Sequence, residues 1–209
     1  MLATPAENLN DALTLLGTDV VVDYKLDGAR IQVHRRGEDI TVYTRTLNDV
    51  TTRVPDIVEV VAGLPCETVI LDGETLTLTD DGRPRPFQET MSRFGSGGAG
   101  EPGAERVLRP FFFDCLHLDG VDLIDRPLAQ RLAAIDRIAP DLRIPSVIRP
   151  TPAEAAAHFD AAIADGHEGV MVKSLAGTYT AGRRGKAWQK VKPVHTLSLI
   201  HISEPTRPY

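Results

Sequence analysis

Lys25 stands at the end of a β-branched run, in Val20-Val21-Val22-Asp23-Tyr24-Lys25-Leu26-Asp27-Gly28-Ala29-Arg30, where an amine, an Asp-Gly pair and a guanidinium follow one another closely. A lysine amine is almost wholly protonated in neutral water. It attacks an electrophile only where neighbouring cations or desolvation favour its neutral form. Arg30 is one such cation, and Lys190 and Lys192 are two more, placed on one face if their segment is a strand. Carboxylates recur at Asp72-Gly73-Glu74 and Glu168, and an aromatic residue precedes an acid at Phe113-Asp114. Taken alone, the first element reads better as a solvated hairpin with a surface lysine, and only the elements that bring these residues together reverse that.

The apolar run from Val20 delivers Lys25 to Asp27-Gly28, a pair suited to a tight turn, and Ile31 and Val33 resume alternation; this predicts a strand-turn-strand hairpin. Upstream, Leu9, Ala12, Leu13 and Leu16 recur at helical spacing before Gly17, which predicts a short amphipathic helix. Ile40 to Thr44 alternates beyond an Arg36-Gly37-Glu38-Asp39 turn, with Arg45 just after it. Pro55 opens a helix carrying Ile57, Val58 and Val61, and Thr68 to Thr79 reads as a strand with Asp72-Gly73-Glu74 inside it. Phe87 to Arg93 reads as a short helix or turn. Gly95 to Gly100 reads as a flexible loop that lacks the G-x-x-x-x-G-K-[ST] phosphate cradle. Val107 to Leu118 is a strand, and Pro127 opens a helix with Leu128, Leu132, Ile135 and Ile138 on one face. Thr151-Pro152-Ala153-Glu154 is a capping box that starts a helix ending at Gly166, and strands return at Gly169 to Lys173 and near Ala187 to Lys192.

With 209 residues, 42% of them hydrophobic and 25% charged, the chain can bury one sizeable core or two small lobes. A net charge of −6 argues against a strongly basic nucleic-acid binder, so any DNA contact must come from a local cluster. Cys66 and Cys115 fit neither a disulfide framework nor a zinc site. The sequence shows no signal peptide and no membrane-length apolar run, which makes the cytoplasm the default compartment.

Five motifs occur in order: Lys25-x-Asp27-Gly28-x-Arg30, Leu71-Asp72-Gly73-Glu74, Phe112-Phe113-Asp114, Glu168-Gly169-Val170-Met171-Val172-Lys173 and Trp188-Gln189-Lys190-Val191-Lys192. Together they resemble the covalent nucleotidyltransferases, specifically the adenylation domain of ATP-dependent DNA ligases, over about Met1 to Pro193. The resemblance implies an α+β fold of mainly antiparallel sheets flanked by helices, ATP-grasp-like, with a nucleotide cleft between two lobes. It implies attack of Lys25 on ATP, giving lysyl-AMP and pyrophosphate, and transfer of AMP to the 5′-phosphate of nicked double-stranded DNA before sealing in the intact enzyme. Such a reaction needs a deprotonated amine, cations at the α-phosphate and a pocket for adenosine.

By the same resemblance Arg30 holds the nucleotide, Glu74 contacts the ribose, and Phe113 stacks on adenine. Lys190 and Lys192 neutralise the α-phosphate, and Glu168 is associated with Mg²⁺. Arg45 and Arg184 match arginines near the nucleotide or nick phosphate, and Arg93 and Arg183 are candidates for DNA backbone contact. Asp23 stands where the family commonly has a glutamate reading the adenine amino group; its shorter side chain is a departure from the pattern. RNA ligases and mRNA-capping guanylyltransferases share K-x-D-G, whereas Phe87-Gln88 with Arg93, and Trp188-x-Lys190-x-Lys192, look like DNA ligase. An inactive, truncated DNA-binding module is the alternative of a different class.

Residues 1–194 are assigned to the adenylation domain and 195–209 to a non-native or disordered tail. Leu197-Ser198-Leu199-Ile200-His201-Ile202-Ser203-Glu204-Pro205-Thr206-Arg207 matches an in-frame translation of a common sequencing adapter. The resemblance also implies a downstream OB-fold domain and, in larger members, an N-terminal helical DNA-binding domain. The chain alone is therefore expected to seal nicks poorly.

Overall fold

A computed structural model describes residues 1–95 and 107–193, with the side chains of 93–95 excepted. The Gly95 to Gly100 loop, from Ser96 on, and the 195–209 tail lie outside the described residues. In chain order the elements are β1 (Leu2–Pro5), α1 (Leu9–Leu16), β2 (Val20–Tyr24), β3 (Ala29–Arg36), β4 (Asp39–Thr44), α2 (Pro55–Ala62), β5 (Thr68–Thr77) and α3 (Phe87–Gly95). They continue with β6 (Leu108–Leu118), β7 (Val121–Asp122), α4 (Leu128–Ile138), β8 (Ser146–Ile148), α5 (Pro152–Ala164), β9 (Val170–Ser174) and β10 (Arg184–Val191). Two five-stranded sheets result, ordered β1-β10-β9-β2-β8 and β4-β3-β5-β6-β7. Every named strand pair is antiparallel except β1 with β10.

Local chemistry sets the helices. The Asn8 side chain accepts from Asp11 N–H at the start of α1, and Gly17 N–H donates to Leu13 O at its end. The Thr151–Glu154 capping box forms in full at α5, with Thr151 N–H donating to Glu154 Oε2 at 2.8 Å. One apolar cluster packs α2 and α4 on the β3-β5-β6 sheet through Ile57, Ile31, Leu71, Leu132 and Ile135. A second packs α1 and α5 on the β2-β9 sheet through Ala12, Val20, Val22, Val172, Ala155 and Ala162.

The hairpin expected at Lys25 does not form. β2 and β3 belong to different sheets; β2 pairs with β8 and β9, and β3 with β4 and β5. All five β2 residues are buried, Val21 in the first cluster and Val20 and Val22 in the second. An unbroken apolar run of this kind marks a central strand covered on both faces. Gly28 then serves close approach between backbones and not a tight turn, because a Cβ there would lie 2.3 Å from Thr75 O. The segment from Lys25 to Gly28 is thus the crossing from one sheet to the other. β1 and β8, short strands at the two edges of one sheet, were not expected from the sequence.

Candidate active site

Lys25 extends the β2–β9 ladder by one step: its N–H donates to Gly169 O at 2.8 Å and its carbonyl accepts from Glu168 N–H at 3.0 Å. Glu168 is held beside it by Gly169, whose φ of 137° and approach to Val191 O, 2.1 Å from a built Cβ, admit only glycine. The Lys25 ammonium is ion-paired with Glu168 Oε2, and Lys192 Nζ donates to Glu168 Oε1 at 2.8 Å. Burial works against the Glu168 charge, but hydrogen bonds from Lys192 and Lys25 outweigh it and hold its pKa below the ordinary carboxylate value.

A cleft of about 1060 Å³ opens between the sheets at this point. Asp23, Lys25, Lys173, Arg184, Trp188 and Lys190 line it from one sheet, and Arg30, Glu74 and Phe113 from the other. Arg45, in the turn after β4, completes a further wall. Lys192, half exposed beyond the end of β10, reaches Lys25 only through Glu168, and neither Glu168 nor Arg183 lines the cleft. Arg183 is exposed, and its carbonyl accepts from Leu2 N–H. Arg93 lies on α3, and its side chain is outside the described residues.

Glu74 sits directly opposite Arg30 across the β3–β5 ladder, which runs unbroken through Gly73, while a bulge against β6 falls between Asp72 and Gly73. Asp72 and Glu74, two apart on this strand, therefore share a side. The Glu74 carboxyl has no hydrogen-bond partner among the described residues. Its pKa is pushed up to about 7, by burial first and by Asp72 and Asp27, against the pull of Arg30 and Lys25. The Arg30 fork is anchored, donating from Nε and Nη2 to Asp72 at 3.0 and 2.6 Å and from Nη1 to Met1 O at 2.8 Å. Burial opposes its charge, yet Asp72 holds its pKa above the ordinary value.

Phe113 is both core and wall: it is buried, meets Trp188 edge-on with centroids 5.8 Å apart, and still borders the cleft. Below it lies an ion pair that the sequence motifs did not single out. Lys173 Nζ is 2.6 Å from Asp23 Oδ2 and 4.4 and 4.3 Å from the Phe113 and Trp188 ring centroids. The Asp23–Lys173 contact is ionic and not a directed hydrogen bond, so Asp23 retains acceptor capacity. Lys173 was legible as the last residue of the Glu168 motif, on the face of β9 that also carries Met171. A buried bidentate pair, Arg131 with Asp114 at 2.6 and 3.1 Å, braces the sheet behind. Cys66 and Cys115 are free, buried thiols.

A lysine held at the seam of two such sheets, with cations and an aromatic wall around it, defines the nucleotidyltransferase class that the motifs resemble. Within that class the chain belongs to the ATP-dependent DNA ligase domain family, whose model, described as ATP dependent DNA ligase domain, matches residues 1–192. A probable DNA ligase of Rhodococcus jostii (strain RHA1) is 66% identical over 200 residues, covering 96% of this chain and 39% of the relative. A probable DNA ligase of Saccharopolyspora erythraea is 58% identical over 203 residues, covering 97% of this chain and 39% of the relative. The chain thus spans about two fifths of the length of the curated relatives it matches. Among solved structures, a mycobacterial DNA ligase D complexed with ATP superposes with a TM-score of 0.70 at 26% identity, over 92% of this chain and 59% of that one. A Chlorella virus DNA ligase-adenylate shares the fold, with a TM-score of 0.63 at 19% identity over 91% of this chain and 67% of that one.

Proposed function

We propose that residues 1–194 are the adenylation domain of an ATP-dependent DNA ligase, in which Lys25 takes AMP from ATP. In the longer protein the AMP then passes to the 5′-phosphate of nicked double-stranded DNA for phosphodiester formation. The observation that carries this reading is convergence: Lys25, Arg30, Glu74, Phe113 and Lys190, spread along the chain, border one cleft. Lys25 leaves Glu168, gives its proton to water and attacks the α-phosphorus; a P–N bond forms as the bond to pyrophosphate breaks. Lys190 and Lys192 neutralise the charge that develops on the α-phosphate. Phe113 stacks on the adenine, Asp23 stands on the adenine side with its carboxylate buried against Lys173, and Glu74 accepts from the ribose. Arg30 holds the nucleotide, and Arg45 and Arg184 take nucleotide or nick phosphate oxygens.

No group of three potential metal-ligating side chains occurs among the described residues. A single carboxylate at Glu168 fits Mg²⁺ held mainly by phosphate oxygens and water, as that ion prefers. Bound there, Mg²⁺ supplies charge neutralisation on the triphosphate. Arg93 and Arg183 are assigned to DNA backbone contact, and an OB-fold and an N-terminal DNA-binding domain of the same enzyme are the expected partners. No described helix is long and apolar enough to cross a membrane, and the cytoplasm is the proposed compartment. Mixing the protein with ATP and Mg²⁺ should add one AMP to its intact mass as an acid-labile, base-stable adduct. Survival of that adduct in Lys25→Ala overturns the assignment.

A further inference from the structure

Tyr179 lies between β9 and β10, is buried, and does not line the cleft. Its surroundings fix the ring without help from its hydroxyl. Its N–H donates to Ile124 O at 3.0 Å, and the turn before it is tied to α4 by Leu128 N–H to Gly177 O and Ala129 N–H to Leu175 O, both 3.0 Å. Arg131 Nη1 also donates to Gly177 O, and its guanidinium carbon is 6.0 Å from the Tyr179 ring centroid. Trp188 meets the ring edge-on, with centroids 6.4 Å apart.

The hydroxyl then reaches the opposite sheet. It donates to Asp72 Oδ2 at 2.7 Å, the oxygen that also accepts from Arg30 Nη2. Arg30 Nη2 lies 3.4 Å from the hydroxyl oxygen itself, which closes a triangle of three polar groups. Arg30 takes both Asp72 oxygens, and such a pair can still swing as a unit, whereas a second donor arriving at Asp72 from another direction removes that freedom. Because Arg30 carries its charge on a planar fork, fixing the plane of Asp72 fixes the direction in which that fork faces the cleft. The guanidinium carbon is 5.6 Å from the Phe113 ring centroid, so its orientation bears on the wall where a base would lie.

We propose that Tyr179 is a positioning residue for nucleotide binding: its hydroxyl orients Asp72, and through Asp72 the Arg30 fork, while tying the β9–β10 connection to the opposite sheet. The proposal rests on the reading of this cleft as an ATP site. Tyr179→Phe removes one oxygen and keeps the ring packing. It should weaken ATP binding, and raise KM for ATP in Lys25 labelling, about threefold to tenfold, the range for losing one hydrogen bond. The labelling rate at saturating ATP should change less than KM. In an Arg30→Lys background the same substitution should add little further loss, because a residue that acts through another is not additive with it. A Tyr179→Phe protein with unchanged ATP affinity and only a lowered Tm overturns the proposal, as does full additivity in the double variant. A parent protein that neither binds ATP nor labels at Lys25 overturns the functional reading, and this inference with it.

Discussion

Glu74 should make the protein less stable as pH rises, and its neutral isostere should show this directly. Its pKa stands at about 7 in the folded chain against an ordinary value of 4.5, mainly because the carboxyl is buried at the cleft. Between those values the folded state keeps a proton that the unfolded chain has lost. Stability therefore declines as pH climbs through this window, and the whole penalty is present above about pH 7. Linkage puts the cost at about 1 kcal/mol at about pH 5 and about 3 kcal/mol at about pH 8, before allowing for solvent at the cleft mouth. Glu74→Gln titrates nowhere, so its stability relative to the parent should grow by about 2 kcal/mol between those two conditions. Urea unfolding of both proteins at each pH measures this, and every other titration cancels in the difference. The same variant should bind ATP more weakly, since the ribose loses a charged acceptor. A stability difference that is flat with pH, or that shrinks toward alkaline pH, refutes the burial argument. A gain in stability joined to a loss in binding is what a residue kept for function shows.

Gly28→Ala should lower Tm by several degrees and slow Lys25 labelling, because its Cβ would lie 2.3 Å from Thr75 O and 2.6 Å from Leu76 Cδ2 and force the start of β3 away from β5, at about 1–3 kcal/mol. An unchanged melting curve counts against close approach as the reason for this glycine. Phe113→Ala should weaken ATP affinity by about 1–3 kcal/mol, the worth of a stacked base. Equal affinity by calorimetry returns Phe113 to the core alone. Asp114→Ala leaves the fully buried Arg131 charge uncompensated and should cost about 3–5 kcal/mol in denaturant unfolding. Asp114→Leu combined with Arg131→Met should recover most of that loss.

Elements whose cause is local were legible in the sequence. The capping box at Thr151, the helical spacing from Leu9 to Leu16, the β3–β4 turn and the long strands β5 and β6 all form, because each depends on residues a few positions apart. The motif residues Lys25, Arg30, Glu74, Phe113 and Lys190 were likewise identifiable by type and order, and they do meet at one cleft. Strand pairing was not legible. Val20 to Val33 reads as a hairpin because an Asp-Gly pair between apolar runs is a turn signal, but burial of β2 on both faces sends its two halves into different sheets. The residues that hold the site rigid were equally hidden. Tyr179 with Asp72, Lys173 with Asp23 and Arg131 with Asp114 each join segments distant in sequence, and a polar side chain in an apolar run carries no mark of the partner it will find. Sequence determined which groups the site contains. Only the packing of two sheets around a shared core decided which of them touch, since that follows from the burial of whole faces and not from the spacing of neighbours.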